Sequence, residues 1–70
     1  MPGYSHVVYR RVIANLKSGR AVDGVLVRRS GPLLFMKNAV LLEPGRDPVP
    51  LDGETVVERV EVEFLQSPNS

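Results

Sequence analysis

The chain of 70 residues contains no cysteine and no tryptophan, a single histidine, and only two tyrosines and two phenylalanines. Without cysteine, neither a disulfide framework nor a zinc–thiolate site can form. No apolar run approaches the roughly 20 residues that a membrane-spanning helix needs, and the first residues lack the basic and then apolar pattern of a signal peptide. These absences predict a cytoplasmic protein that has no membrane-spanning segment and no cofactor.

Side chains that could perform catalysis are equally scarce. His6 has no second histidine with which to share a metal ion, and it is the only histidine that could activate a serine nucleophile. The six glycines do not form a phosphate-binding loop followed by lysine and serine. Glu58, Glu61 and Glu63 could hold a hard cation only if their oxygens converged, which their spacing does not require. The sequence therefore predicts no catalytic residues and no metal ligands, and we expect that the chain is not an enzyme.

Six glycines and six prolines separate the chain into short apolar runs, which cover residues 6–9, 12–16, 22–27, 33–42 and 56–65. Runs of this length that are rich in β-branched residues and end at glycine or proline are typical of strands. Several such strands in one small chain indicate a small barrel or sandwich. The sequence therefore predicts a single all-β domain.

The end of the chain carries the clearest alternation of apolar and acidic residues. Val60, Val62 and Phe64 alternate with Glu61 and Glu63. Because successive side chains of a strand point to opposite faces, this pattern predicts a half-buried strand whose valines and phenylalanine share the buried face.

Three other segments predict local features of the sheet. Gly24 lies inside an apolar run, where a glycine usually marks a bulge, a bend or a close backbone approach. Asp52 and Gly53 are typical of a tight turn. Residues 33–42 could form a buried helix, but the flanking glycine and prolines favour a strand that is central or covered by another subunit.

Charge is distributed unevenly along the chain. Residues 1–37 hold seven basic and one acidic side chain, a net charge of +6, whereas residues 38–70 hold two basic and seven acidic ones, a net charge of −5. The charges could be solvated outer faces of strands, contacts between the two halves of neighbouring copies, or a surface for nucleic acid. Because so small a chain buries only about 60% of its unfolded surface, oligomerisation is a common route to further stability.

Two segments resemble the sequence motifs of the Sm-like (LSm) family. Residues 17–27 contain a turn glycine, Gly19, then a strand, a bend glycine, Gly24, and several aliphatic residues, as in the first motif. Residues 53–65 are similar to the second motif, which has a glycine, paired aliphatic residues, an arginine, here Arg59, and a valine-rich last strand.

The resemblance covers residues 11–66 and is nearest to small phage-encoded Sm-like proteins. It implies a small, strongly bent five-stranded Sm-like barrel with little or no N-terminal helix. Residues 1–10 would form an N-terminal extension and residues 67–70 a polar tail. The glycines on which this fold would depend are Gly19, Gly24 and Gly53.

The resemblance also indicates where RNA-binding members of the family grip a base. Ser30, Pro32 and Leu34 stand where the family has an aspartate, an aromatic residue or histidine, and an asparagine, and none can make the expected base contact. Arg59 matches the arginine of the second motif, but Val60 replaces the glycine that follows it. Nucleic acid could still be held through phosphates, and the candidate residues are Arg28, Arg29, Lys37 and Arg59.

In the family, the fourth strand of one subunit pairs with the fifth strand of the next, and this heterologous contact closes a ring. Here residues 55–58 would meet residues 60–65 of the next copy, through Thr55, Val57, Val60, Val62 and Phe64. The resemblance thus implies a non-enzymatic homo-oligomeric ring of roughly five to seven copies. It would act as a structural, assembly or interaction protein, in the host cytoplasm or the virion if phage-encoded, with a virion protein or RNA as a further partner. The alternative is a ring that binds RNA or single-stranded nucleic acid through phosphates.

Overall fold

The computed structural model describes residues 9–68, which form five antiparallel strands in one sheet. The strands are β1 (Arg10–Leu16), β2 (Ala21–Ser30), β3 (Leu33–Leu42), β4 (Val49–Glu58) and β5 (Val62–Gln66), and a 3₁₀ turn at Arg59–Glu61 joins β4 to β5. Their order across the sheet is β4-β3-β2-β1-β5. The prediction of a small, bent, five-stranded all-β domain is confirmed. Residues 6–8 of the first apolar run, with His6 among them, lie outside the described residues. So do the expected lack of an N-terminal helix and most of the predicted N-terminal extension.

All five strands contribute side chains to one core on the inner face of the sheet. Its largest fully buried side chains come from β1, β2 and β3, the strands in the middle of the sheet: Val12, Leu26, Leu34 and Met36. Val57 of β4 and Val62 of β5 complete it from the two edges. No helix within residues 9–68 has the length and apolar character needed to cross a membrane. The core is small, which leaves the fold dependent on each of these buried side chains.

A line of irregular pairing crosses β2, β3 and β4 and bends the sheet. The registers of β3 with β2 and with β4 both shift at Asn38, which lies beside Gly24 on one side and Gly53 on the other. Asn38 and Gly53 have positive φ angles of 52° and 70°. Bulges of this kind kink a strand and increase its twist. The sheet can therefore curl around its core at this line.

The prediction of a tight turn at Asp52 and Gly53 is wrong. Both residues lie inside β4, which continues from Val49 to Glu58. The chain reverses direction earlier, in the proline-containing connection at residues 43–48. A glycine with positive φ serves a bulge as well as it serves a turn, so the same dipeptide pattern is compatible with both.

The apolar run at residues 56–65 is not one strand, because it divides between the end of β4, the 3₁₀ turn and β5. The prediction that Val60, Val62 and Phe64 share a buried face is also wrong. Val62 is 8% exposed, whereas Val60 is 62% exposed and Phe64 is 51% exposed. Val60 belongs to the 3₁₀ turn, so only Val62 reaches the core.

A β-bulge explains why Phe64 faces outwards. Val62 pairs with Leu16 and Phe64 pairs with the preceding residue of β1, Asn15, so Glu63 is an extra residue in β5. One extra residue reverses which side chains face the core. Leu65 therefore packs against the core in the place that alternation assigned to Phe64.

Candidate functional site

The two outer strands of the sheet, β4 and β5, are its open edges. Within residues 9–68, β4 pairs only with β3 and β5 pairs only with β1. The far side of each edge strand therefore presents backbone N–H and C=O groups to solvent, and such groups are a template for pairing with another strand. β4 is the longer edge, with ten residues against five in β5.

The five residues predicted to form a subunit contact divide into two groups. Val57 and Val62 are buried in the core of their own chain, and Thr55 is half-buried. Val60 and Phe64 are exposed and available for contact. Besides Val49 at the start of β4, which is 47% exposed, sequence reasoning overlooked a second exposed apolar residue of this strand, since Val56 is 49% exposed. Nothing in the sequence distinguishes it from its buried neighbour, because the register decides which of two adjacent valines faces out.

Both open edges are acidic. β4 carries Asp52, Glu54 and Glu58, the 3₁₀ turn before β5 carries Glu61, and β5 itself carries Glu63, all of them exposed. Four of the nine basic residues lie on β1 and β2, in the middle of the sheet, and Lys17 and Arg20 lie in the connection between these strands. A contact between β4 and β5 therefore brings carboxylates close together, so its register must keep like charges from lying opposite one another.

Three of the four candidate nucleic-acid residues lie at one end of the sheet, which we call the basic end: Arg28, Arg29 and Arg59. Arg28 and Arg29 lie near the end of β2, just before the β2–β3 turn. The backbone N–H of Arg59 donates a 2.8 Å hydrogen bond to the carbonyl oxygen of Pro32 in that turn. A shallow pocket of about 440 Å³ lies there, lined by Gly31, Pro32, Arg59 and Val60.

Arg28 and Lys37 have different surroundings on the outer face. The guanidinium carbon of Arg28 lies 3.7 Å from the ring centroid of Phe35, its partner in the β2–β3 register, a cation–π contact. Lys37 lies two residues beyond Phe35 along β3 and opposite Glu54 of β4. The structure therefore does not bring Lys37 to the basic end.

The residues that stand at the family's base-contact positions are placed as follows. Leu34 is fully buried in the core, so it has no access to a ligand. Ser30 and Pro32 are exposed at the β2–β3 turn. The turn can therefore approach a nucleic acid, but it offers neither a carboxylate nor an aromatic ring to a base.

An ion pair joins β1 and β2 on the outer face. The Nε and Nη2 atoms of Arg11 donate hydrogen bonds of 2.8 and 2.6 Å to the two carboxylate oxygens of Asp23. The hydrogen bond from Arg11 holds the pKa of Asp23 below its ordinary value, and the same bond raises the pKa of Arg11. Within the described part of the chain, no group of three or more histidine, aspartate or glutamate side chains is placed to hold a metal ion.

Known proteins resemble this chain in fold, whereas comparisons of sequence find no match. No family model and no curated protein matches the chain. Its structure is similar to a chain in the crystal structure of the NatC complex bound to CoA, with a TM-score of 0.75 and 20% sequence identity. The match covers 93% of this chain and 83% of that chain. The likeness shows that the two chains share a fold.

Proposed function

We propose that this chain is a non-enzymatic Sm-like module that assembles through its open edges into a homo-oligomeric ring of roughly five to seven copies. The observation that carries the proposal is the pair of edge strands, β4 and β5, each with an exposed apolar side chain, Val56 and Phe64. The sheet order and the sequence motifs at Gly19, Gly24 and Arg59 support the Sm-like assignment. A protein of this kind acts as a structural, assembly or interaction component, for a virion if it is phage-encoded.

Edge pairing follows from the physical chemistry of the isolated chain. If β4 of one copy pairs with β5 of the next, both edges gain backbone hydrogen bonds and the head-to-tail contact can close into a ring. Complete burial of a valine or phenylalanine side chain stabilises by about 1.5–3 kcal/mol. Since Val56 and Phe64 are each about half exposed, a substantial part of this free energy is available to assembly. The match to a chain of the NatC complex supports a role within a protein assembly.

Substitution of Phe64 tests this proposal. Phe64→Glu adds a carboxylate to an edge that is already acidic, so it should reduce the molar mass measured by light scattering to that of one chain, 7.7 kDa. Tyr9→Glu is the matched control, since Tyr9 is 78% exposed but does not belong to an edge strand. We expect the control to retain the ring mass of about 39–54 kDa, five to seven times the chain mass. Equal masses for the unsubstituted chain and Phe64→Glu would contradict the proposal.

A second candidate function is the binding of RNA or single-stranded DNA through phosphates. The observation that favours it is the basic end, which combines Arg28, Arg29 and Arg59 beside an exposed turn. Because the residues at the base-contact positions cannot read a base, such binding should be insensitive to base identity. Fluorescence anisotropy with homopolymeric oligonucleotides of each base tests this. A strong preference for one base would show that the pocket recognises bases, contrary to this second proposal.

A further inference from the structure

We infer that the contact between copies has one register, in which Val56 of one copy lies directly opposite Phe64 of the next. This inference rests on the proposed ring. It assigns the contact to a second copy of this chain and names the pair of side chains that sets its alignment. The two residues are exposed apolar side chains on the outer face of the two edge strands. Val49 of β4 is also exposed, but it pairs with Leu41, which packs against the core, so Val49 lies on the inner face.

Both side chains point to the outer face of the sheet. Val57 pairs with Leu34 and both are buried on the inner face, so the adjacent residue, Val56, faces outwards. Leu65 packs against the core, so the adjacent Phe64 faces outwards as well. A sheet that continues from one copy to the next keeps outer residues beside outer residues. Any register that opposes Val56 to Leu65 would instead direct one of them to the wrong face.

Several registers place outer residues opposite outer residues, and the charges on β4 favour one of them. If the joint slipped by two residues, Phe64 would lie opposite Glu54 or Glu58 instead of Val56. An aromatic ring beside a β-branched side chain is a favourable cross-strand pair, whereas an apolar ring beside a carboxylate leaves that charge partly desolvated. The Val56–Phe64 register is therefore the favoured one.

The same register gives Glu54 a suitable partner. In an antiparallel joint that opposes Val56 to Phe64, Glu54 lies opposite Gln66 of the next copy. The side-chain oxygen of Gln66 already accepts a 2.9 Å hydrogen bond from Asn15. Its Nε2 group is therefore turned away from Asn15 and can donate to the carboxylate of Glu54. An amide thus takes the place of a second carboxylate in an otherwise acidic joint.

The pair also continues an existing row of side chains. Arg28 lies over Phe35, and Phe35 pairs with Val56, so these three residues already cross β2, β3 and β4 on the outer face. Phe64 of the next copy would be the fourth member of the row. Apolar contact would then run without interruption across the joint.

Cysteine cross-linking tests the register, and the natural absence of cysteine removes any background. A disulfide needs Cα atoms about 4.4–6.8 Å apart, which directly opposed residues of an antiparallel pair provide at about 4.5–5.5 Å. We expect a co-refolded equimolar mixture of Val56→Cys and Phe64→Cys chains to give a covalent dimer on mild oxidation. Neither variant alone should do so, because its cysteines would lie on different joints of the ring.

Two control mixtures move the cysteine on β4 by two residues in either direction. They are Glu54→Cys with Phe64→Cys, and Glu58→Cys with Phe64→Cys. Diagonal neighbours lie about 7–8 Å apart, so both should cross-link at least several-fold less than the Val56 mixture. Preferential cross-linking of either control in a ring of full mass would overturn the register but leave the ring intact. A full-mass ring that none of the mixtures cross-links would also overturn it. A monomeric mass for the unsubstituted chain would instead reject the proposed function.

A charge exchange provides a test that does not depend on oxidation. Phe64→Glu alone and Val56→Lys alone should each lower the molar mass, since each places an unpaired charge at the joint. The double variant Val56→Lys with Phe64→Glu should restore the ring mass, because directly opposed opposite charges attract. Phe64→Glu with Tyr9→Lys adds the same charges without the pairing and should stay monomeric. Failure of the double variant to recover the ring, with its fold intact by circular dichroism, would contradict direct opposition of the two residues.

Discussion

A Cβ atom added to Gly24 would lie 3.0 Å from the Cα atom of Ala39 and 3.1 Å from its Cβ atom. The backbone oxygen of Lys37 would be equally close, at 3.0 Å. Backbone atoms cannot move aside as the end of a flexible side chain can. The bend between β2 and β3 therefore depends on the lack of a side chain at Gly24.

Gly24→Ala should destabilise the fold by about 1–3 kcal/mol, the usual cost of forcing extra atoms into a packed site. Gly24→Val should cost more, although valine is ordinarily the better strand former. Gly53→Asn is the control, because Gly53 has open space around it and requires only a positive φ, which asparagine tolerates. Chemical denaturation measures all three. A rise in stability for Gly24→Val would mean that β2 is not bent at this position.

Asn38 is constrained by its backbone angle, whereas Gly24 is constrained by the space around it. With a φ of 52° in β3, it adopts a conformation that β-branched residues avoid. Asn38→Val should therefore lower the free energy of unfolding by about 1–2 kcal/mol, whereas Asn38→Gly should be nearly neutral. Thermal denaturation of the two variants checks this, and equal melting temperatures would contradict the left-handed conformation.

The Arg11–Asp23 pair predicts a dependence of stability on acid. Because the pKa of Asp23 is lowered in the folded protein, the pair stabilises the fold at pH values above the unfolded pKa, about 3.9. That stabilisation is lost as the pH falls through the lower folded pKa. The difference in unfolding free energy between the parent and Arg11→Ala should therefore be constant near neutrality and shrink below about pH 4.

Arg10→Ala is the control for this pH series, since it removes the adjacent arginine on the same strand. Its effect on stability should not follow the same pH course. Denaturation curves recorded between neutral pH and strongly acidic pH distinguish the two variants. A difference between parent and Arg11→Ala that persists undiminished in strong acid would show that the ion pair is not its source.

Binding to nucleic acid, if it occurs at the basic end, should depend steeply on salt because each neutralised phosphate releases counterions. Arg28→Ala with Arg29→Ala should reduce the slope of log affinity against log salt by roughly one unit for each phosphate that is no longer neutralised. Arg20→Ala with Arg46→Ala removes the same charge from the opposite end of the sheet and should change the slope less. Equal reductions would show that total charge, and not the basic end, controls binding.

The strands themselves were largely predictable from the sequence. The apolar run at residues 33–42 coincides with β3, and that at residues 22–27 lies within β2. Both results follow from local chemistry, because β-branched residues between glycine and proline favour extended backbone. The paired aliphatic and glycine motifs also indicated the five-stranded sheet as a whole.

The irregular positions were not predictable from local pattern. Gly53 carries the same signal whether it forms a turn or a bulge, and only its pairing with β3 shows that β4 continues through it. Glu63 reverses the faces of β5 although alternation at residues 60–64 looks unbroken. A bulge is decided by the neighbouring strand, so the pattern of one strand alone assigned Phe64 to the core and overlooked Val56.

The candidate site also combines features that the sequence indicated with features that only the structure shows. The likeness of Arg59 to a family motif made it a candidate from the sequence alone, and the structure places its backbone N–H against the β2–β3 turn. The stacking of Arg28 on Phe35 depends on the register of two strands and had no sequence signal. The acidic character of both edges likewise emerges only once β4 and β5 are known to be the outer strands.

Native mass spectrometry of the unsubstituted chain is the most direct test of assembly through β4 and β5. We predict one discrete species of about five to seven times 7.7 kDa that persists on dilution, and its conversion to single chains by Phe64→Glu. A spectrum that contains only the 7.7 kDa chain at every concentration would contradict the account.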